Sequence, residues 1–100
     1  MQNFTETRKG FGSIREGQSI SIEYQKTPEC KPVRKLNPDC GGCTVLNDWK
    51  DKVIVTYTAA KIPPQVLTPS IQYQNIEKGA AVEFMDGSIE RLYFFGRVTK

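Results

Sequence analysis

Two cysteines three positions apart are the residues of this chain best suited to chemistry. Cys40 and Cys43 enclose two glycines in "DCGGCT", and a third cysteine, Cys30, lies upstream. With a fourth ligand these cysteines could hold zinc, and a Cys-x-x-Cys pair alone could carry out thiol–disulfide exchange. A tight corner in a small β-domain is the third interpretation of the same residues.

The rest of the chain favours the corner. There is no histidine, so Asp39, Asp48 or a second chain would have to complete a zinc site. A redox pair normally opens a helix, whereas a strand is predicted to follow here. An odd number of cysteines in an apparently cytosolic chain argues against a disulfide framework. We therefore expect free, buried cysteines around a glycine turn with positive φ, weak metal candidates at most, and no cofactor.

Composition excludes several classes of function. The 100 residues suit one domain, and 38% hydrophobic with 25% charged residues predict a folded chain. The net charge of +3 is mild and the basic residues are scattered, with clusters only at residues 8–9 and 34–35, so no nucleic-acid partner is expected. No apolar run could span a membrane, and the N-terminus lacks the apolar region of a secretory signal. Without histidine the common catalytic triads are impossible, and no pair of carboxylates stands out. We expect a non-enzymatic protein that is kept in the cytoplasm or is assembled there into something larger.

The elements that position these residues are strands. Side chains alternate in "SISIEY" (19–24), "KVIVTYT" (52–58) and "AAVEFM" (80–85), and "IERLYFFGRV" (89–98) is rich in aromatic and β-branched residues. Asp86-Gly87 predicts a type I′ hairpin over residues 80–98. Further short strands are expected near residues 11–14, 33–36 and 43–46. This pattern predicts an all-β, immunoglobulin-like sandwich of about seven strands.

Two segments depart from the alternation. Residues 1–10 are polar apart from Phe4 and are expected to form a flexible arm, either frayed or anchored by Phe4 on a neighbouring subunit. Residues 11–100 form the domain, and residues 59–79 within it form a long proline-rich loop. That loop is either an irregular edge strand that covers the sandwich or an arm that docks on a neighbour by edge pairing. Residues 70–79 are the only candidate for a helical turn.

Several residues could bind a partner. Trp49 is the single tryptophan of the chain, and it is either part of the core or an exposed anchor for a partner protein. Gly96, inside "FFGRV", predicts a bulge or a close approach. The residues predicted to contact partner proteins are Phe4, Trp49, Ile62, Pro63, Pro64, Val66, Leu67, Ile71 and Tyr73.

Four blocks resemble one family in order and spacing. They are "FGSIREGQSISIEY", "CGGCT", "DKVIVTYTA" and "AAVEFMDGSIERLYFFGRV". The chain resembles the Ig-like bacterial domain known as domain of unknown function one-five-seven-three, kin to the ASH and major-sperm-protein-like sandwiches. The family corner usually has one glycine between its cysteines, and here there are two. The resemblance implies a seven-stranded sandwich that serves as a structural or interaction module without catalytic activity.

Small Ig-like domains of this kind also resemble decoration and appendage proteins of bacteriophage virions. By that analogy we expect an accessory protein on a capsid or tail surface, assembled in the host cytoplasm with other protein subunits, as a homo- or hetero-oligomer. Two alternatives stay open: a redox or metal-binding protein centred on the three cysteines, and a regulatory domain that binds a partner protein. Fold alone does not decide among them.

Overall fold

A computed structural model describes residues 2–100, apart from the side chain of Val66. Seven strands form in this described part of the chain, and a short 3-10 turn, Pro64–Val66, interrupts the longest connection. Within residues 2–100 no helix has the length and apolar character that crossing a membrane requires. The strands are β1 (Arg8–Arg15), β2 (Ser19–Gln25), β3 (Val33–Pro38), β4 (Thr44–Asp48), β5 (Lys52–Thr58), β6 (Tyr73–Phe84) and β7 (Ile89–Thr99).

The strands form two sheets, which confirms the predicted all-β sandwich. One sheet has the order β1-β7-β6-β3 and the other the order β2-β5-β4. Only β1 and β7 run parallel; every other pair is antiparallel. The chain changes sheet after β1, β2, β3 and β5, and this arrangement is immunoglobulin-like.

The core lies between the sheets and follows the alternation of the strands. Val53, Val55 and Tyr57 of β5 face inward, and alternate residues of β7, Leu92 and Phe94, meet them from the other sheet. The rings of Tyr57 and Phe94 lie 5.3 Å apart and tilted, a favourable aromatic geometry. Burial of such large side chains supplies the main driving force for folding.

A close approach at Gly96 locks β1 onto β7. The register between the two strands shifts between Gly10 and Gly12, so β1 bulges at Phe11. A Cβ on Gly96 would lie only 2.5 Å from the Phe11 ring, which means that the ring uses the space that the glycine leaves. The close approach predicted at Gly96 is confirmed.

The C-terminal hairpin is confirmed, but its turn type is not. Gly87 has a φ of +87°, while no residue other than glycine has a positive φ in the described part of the chain. A type I′ turn would need positive φ at Asp86 as well. Instead the Gly87 N–H bonds the Phe84 carbonyl, and the Asp86 carboxylate accepts from the Ser88 N–H at 2.9 Å. The aspartate thus stabilises the turn through its side chain.

The N-terminal segment is part of the domain, so the predicted arm is wrong for Phe4. Phe4 is fully buried, and its ring centroid lies 6.4 Å from that of Phe84. Hydrogen bonds on both sides hold it, from the Thr5 N–H to the Gln25 carbonyl and from the Thr27 N–H to the Asn3 carbonyl. Because the Phe4 ring lies in the core of its own chain, the segment around it is not frayed, and the ring cannot anchor a neighbouring subunit.

The predicted loop 59–79 is also corrected. Its last seven residues form the first half of β6, a regular strand that pairs with β7, so neither a helical turn nor an irregular strand exists there. Ile62 is buried, and its N–H donates to the Glu16 carboxylate at 2.8 Å. The connection is therefore attached to the sandwich at Ile62 and cannot be a free arm over its whole length.

Replacing Phe4 with alanine tests whether the N-terminus belongs to the core. We expect Phe4→Ala to lower the free energy of unfolding by about 3–5 kcal/mol, because it removes a fully buried ring. Met85→Ala, at a side chain 64% exposed, is the control and should change it by less than about 0.5 kcal/mol. Urea unfolding measures both, and equal midpoints for the two variants would contradict the burial of Phe4.

Tyr24 makes stability depend on pH in the alkaline range. Its hydroxyl is buried and donates to the Tyr93 carbonyl at 2.6 Å, and burial raises its pKa far above the ordinary value of 10.0. The folded chain therefore keeps a proton that the unfolded chain releases, so stability falls as the pH rises above about 10. We expect the loss between pH 8 and 11 to be smaller in Tyr24→Phe than in the native chain. Equal losses in denaturant titrations would contradict this.

Candidate functional site

The Cys-Gly-Gly-Cys stretch forms the corner between β3 and β4, as predicted, but its cysteines are not free. Cys40 and Cys43 are joined by a disulfide across Cα atoms 5.6 Å apart. Neither Gly41 nor Gly42 has a positive φ, so that prediction is also wrong. The bonded cysteines are only three positions apart. A single local disulfide of this kind is compatible with an odd number of cysteines, which argued only against a framework of several disulfides.

Cys30 lies apart from this pair. It precedes β3, whereas Cys40 follows it, and six extended residues separate the two by roughly 20 Å. No group of three potential metal-ligating residues occurs within the described part of the chain. Burial raises the pKa of the Cys30 thiol, while nearby Lys26 acts in the opposite direction. A raised pKa leaves little thiolate at neutral pH, the opposite of what a reactive cysteine requires.

The residues predicted to contact partners do not form one surface. Phe4 and Ile62 are buried in their own chain's core, so neither is a partner contact. Trp49 is 55% exposed in the β4–β5 turn, which excludes its core interpretation, and its role as an anchor stays a prediction. Leu67 packs on the edge of the core, and the side chain of Val66 lies outside the described residues. Those that stay at least partly accessible are Pro63, Pro64, Ile71 and Tyr73.

A different surface emerges on the four-stranded sheet. All five arginines of the chain lie on its strands, two on β1, one on β3 and two on β7. Alternation and the contacts below place them on the outward side, together with three aromatic residues of β6 and β7. We call this surface the arginine–aromatic face, and it consists of Arg8, Arg15, Arg34, Arg91, Arg97, Tyr73, Tyr93 and Phe95.

The arginines of this face stack on its rings. The guanidinium carbon of Arg97 lies 3.9 Å from the centre of the Tyr73 ring. Arg8 lies 4.8 Å from the centre of Phe95, and Arg91 lies 5.5 Å from that of Tyr93. Such cation–π contacts hold long side chains in a defined geometry, at about 0.5–1 kcal/mol each where exposed.

Three arginines are also held by carboxylates. Arg8 pairs with Glu77 at 2.5 Å and Arg91 with Asp39 at 2.5 Å. The hydrogen bond from Arg8 lowers the pKa of Glu77, and the bond to Asp39 raises the pKa of Arg91. These pairs are exposed and add little to stability, so their main effect is to fix the direction of each guanidinium.

The third pair joins Arg34 and Glu83 at 3.5 Å, at the β3 margin of the face. Arg15 and Arg97 have no carboxylate partner within residues 2–100. The face therefore keeps an excess of positive charge after its internal pairs are counted. An anionic or acidic partner would find these two guanidinium groups available.

Glycines open a shallow cleft in the face beside Arg97. The cleft has a volume of about 540 Å³ and is lined mainly by Gly12, Phe95, Arg97, Asn75 and Glu77. A Cβ on Gly12 would meet nothing within 4 Å, so the floor at β1 is open. The cleft combines one exposed ring with donors and acceptors, the composition of a recognition surface.

This face was not predicted from the sequence because its residues come from four strands. Residues 8, 15 and 34 approach residues 91 and 97 only when the sheet forms. One signal was present: in "RLYFFGR" the alternate residues are Arg91, Tyr93, Phe95 and Arg97. Period-two counting along this strand alone would have placed two arginines and two rings on one surface.

Comparison with known proteins identifies no relative. Neither a family model nor a curated protein nor a solved structure matches the chain. The resemblance to the Ig-like bacterial family thus stays a prediction that depends on the four quoted blocks.

Counting thiols tests the corner. Denatured protein purified in air without reductant should show one reactive thiol, that of Cys30, and three after reduction, because Cys40 and Cys43 are bonded. In the control variant Cys30→Ser the expected counts are zero and two. Absorbance titration with a disulfide reagent gives these numbers, and three thiols before reduction would contradict the bond.

Proposed function

We propose that this chain is a non-catalytic binding module whose arginine–aromatic face docks on a partner protein. The observation that carries the proposal is the collection of all five arginines, with three rings, on one exposed side of one sheet. Arginine and aromatic residues are enriched at protein interfaces and dominate their energetics. Here stacking and ion pairs already orient four of the arginines, so less conformational entropy is lost on docking.

Protein is favoured over nucleic acid as the partner. Glu77, Glu83 and Asp39 lie among the arginines of the face, and each would repel a phosphate backbone. Nucleic-acid surfaces concentrate basic residues without such interruption, and the net charge of this chain is only +3. A mixed pattern of charges with two free guanidinium groups suits the complementary pattern of a protein surface.

The accessory virion protein is the context we propose for this docking, on the analogy with phage Ig-like decoration and appendage proteins. The regulatory alternative would use the same face on a free partner. Mass spectrometry of purified particles separates the two: a virion component is present in stoichiometric amounts, and its absence would favour the regulatory role.

Charge reversal on the face tests the proposal. We expect Arg97→Glu to reduce capture of the native partner from host extract at least about tenfold, because Arg97 has no carboxylate partner within residues 2–100 and its guanidinium stacks on the Tyr73 ring of the face. Lys61→Glu makes the same charge change on the exposed connection between the sheets and should leave capture unchanged. Quantitative pull-down with tagged chains measures both, after circular dichroism shows that each variant folds. Equal capture by the two variants would refute docking through this face.

A further inference from the structure

The sheet that carries the arginine–aromatic face has an open strand edge. β3 pairs with β6 only over residues 80–84, from Val33↔Phe84 to Pro38↔Ala80. The chain then leaves the sheet at the disulfide corner, and its last bond to β6 runs from the Asp39 N–H to the Gly79 carbonyl. Residues 73–78 of β6 are thus paired with β7 on one side and, within residues 2–100, with no strand on the other.

The direction of the backbone groups along this edge follows from that last bond. The Gly79 carbonyl points toward the β3 side, and in an antiparallel strand every second residue points the same way. Tyr73, Asn75 and Glu77 therefore direct both N–H and C=O groups to the open side. None of these groups has a hydrogen-bond partner in the described part of the chain. Three donors and three acceptors are available to a further strand.

This edge carries the charged side chains of Glu77 and Lys78 but lacks two other usual protections against pairing, a proline and a bulge. It contains no proline, and the β6–β7 register is continuous from Tyr73 to Glu83 without a bulge. Natural edge strands are normally shortened, bulged or covered because they accept foreign strands. A straight six-residue edge has the form of a site for strand addition.

Charge at the edge indicates what strand would bind. Side chains of Tyr73, Asn75 and Glu77 point to the same outward side as Arg97, whose guanidinium lies over the Tyr73 ring rather than above its own strand. Positive charge thus reaches across β6 to the open edge. Lys78, on the opposite side of β6, also has no carboxylate partner within residues 2–100. Outward carboxylates beside Tyr73 and Asn75 would be matched by Arg97 and inward ones by Lys78, while the charge of Glu77 is already paired with Arg8.

We infer that an extended acidic segment of a partner protein adds as a strand to residues 73–78 of β6, with outward carboxylates facing Arg97. This deepens the proposed function, on which it rests, by naming the form and charge of the partner. Main-chain bonds to Tyr73, Asn75 and Glu77 supply affinity, and Arg97 selects acidic over basic segments.

A tethered segment tests this inference on the whole chain. Lys100 donates its N–H to the Gln72 carbonyl, so the end of the chain lies beside the start of the open edge. A flexible linker of about ten Gly/Ser residues, fused after Lys100, is followed by a segment of eight alternating Glu and Thr residues. The linker has an r.m.s. end-to-end distance of about 18 Å, which lets the segment reach the edge at a high effective concentration. The matched control carries alternating Lys and Thr.

Amide hydrogen exchange gives a sharp signature. We expect the acidic segment to slow exchange at Tyr73, Asn75 and Glu77 at least about tenfold, and to leave Gln74 and Ile76 unchanged because β7 already bonds them. The basic segment should give no protection from exchange. The substitution Arg97→Ala should reduce the protection that the acidic segment gives. Lack of protection by the acidic segment, or equal protection by both, would overturn the inference.

Two other occupants are outcomes of the same experiment. Protection of these three amides in the unfused chain at high concentration, with a dimer in sedimentation, would assign the edge to a second copy and overturn the inference. Stronger protection by a single-stranded oligothymidylate than by the acidic segment would assign the edge to nucleic acid and would also overturn the inference.

The same variants distinguish failure of strand addition from failure of the docking face. If Arg97→Glu abolishes partner capture while the acidic segment protects no amide, the docking face is supported and strand addition is wrong. If the acidic segment protects the three amides and Arg97→Glu leaves partner capture unchanged, the docking face is wrong instead.

Discussion

The alternation of side chains along β7 is the constraint on which the rest of the structure depends. Every second residue, Leu92, Phe94 and Val98, is buried against the opposite sheet. The residues between them carry the arginines and rings of the outward face. A one-residue slip of this strand would exchange the two sets, bury guanidinium groups and expose the core. Register that is essential for stability therefore also fixes the arginine–aromatic face, the proposed docking surface.

The second determinant is where β3 ends. At Pro38 the chain turns through the Cys40–Cys43 corner and crosses to the other sheet, so it abandons β6 after five of its twelve residues. Gly79 lies at this point, and a Cβ there would come within 3.3 Å of both Arg91 and Asp39. The corner thus shapes an ion pair of the face and leaves the open edge beyond it. In the proposed function its contribution is geometric, whereas its sequence first suggested redox or metal chemistry.

The sequence predicted what local alternation and turn residues control. β2, β5 and the hairpin at Asp86-Gly87 lie where the pattern placed them, because each combines period two with a strong turn signal. The start of β6 was missed because "YQNIEKG" is polar and follows prolines; its pairing with β7, rather than its own propensity, makes it a strand. Phe4 was missed because an isolated aromatic among polar residues shows no period, and only the tertiary fold provides its site in the core. The arginine–aromatic face was beyond the local pattern since four strands contribute to it.

Native-state hydrogen exchange along β6 in the free protein tests the central claim most directly. The claim is that residues 73–78 of β6 pair in register with β7 on one side and leave the other side of the strand open. It predicts slow exchange at Gln74, Ile76 and Lys78, whose N–H groups bond β7, and fast exchange at Tyr73, Asn75 and Glu77 between them. Uniform protection across residues 73–78, or uniform exposure, would contradict it.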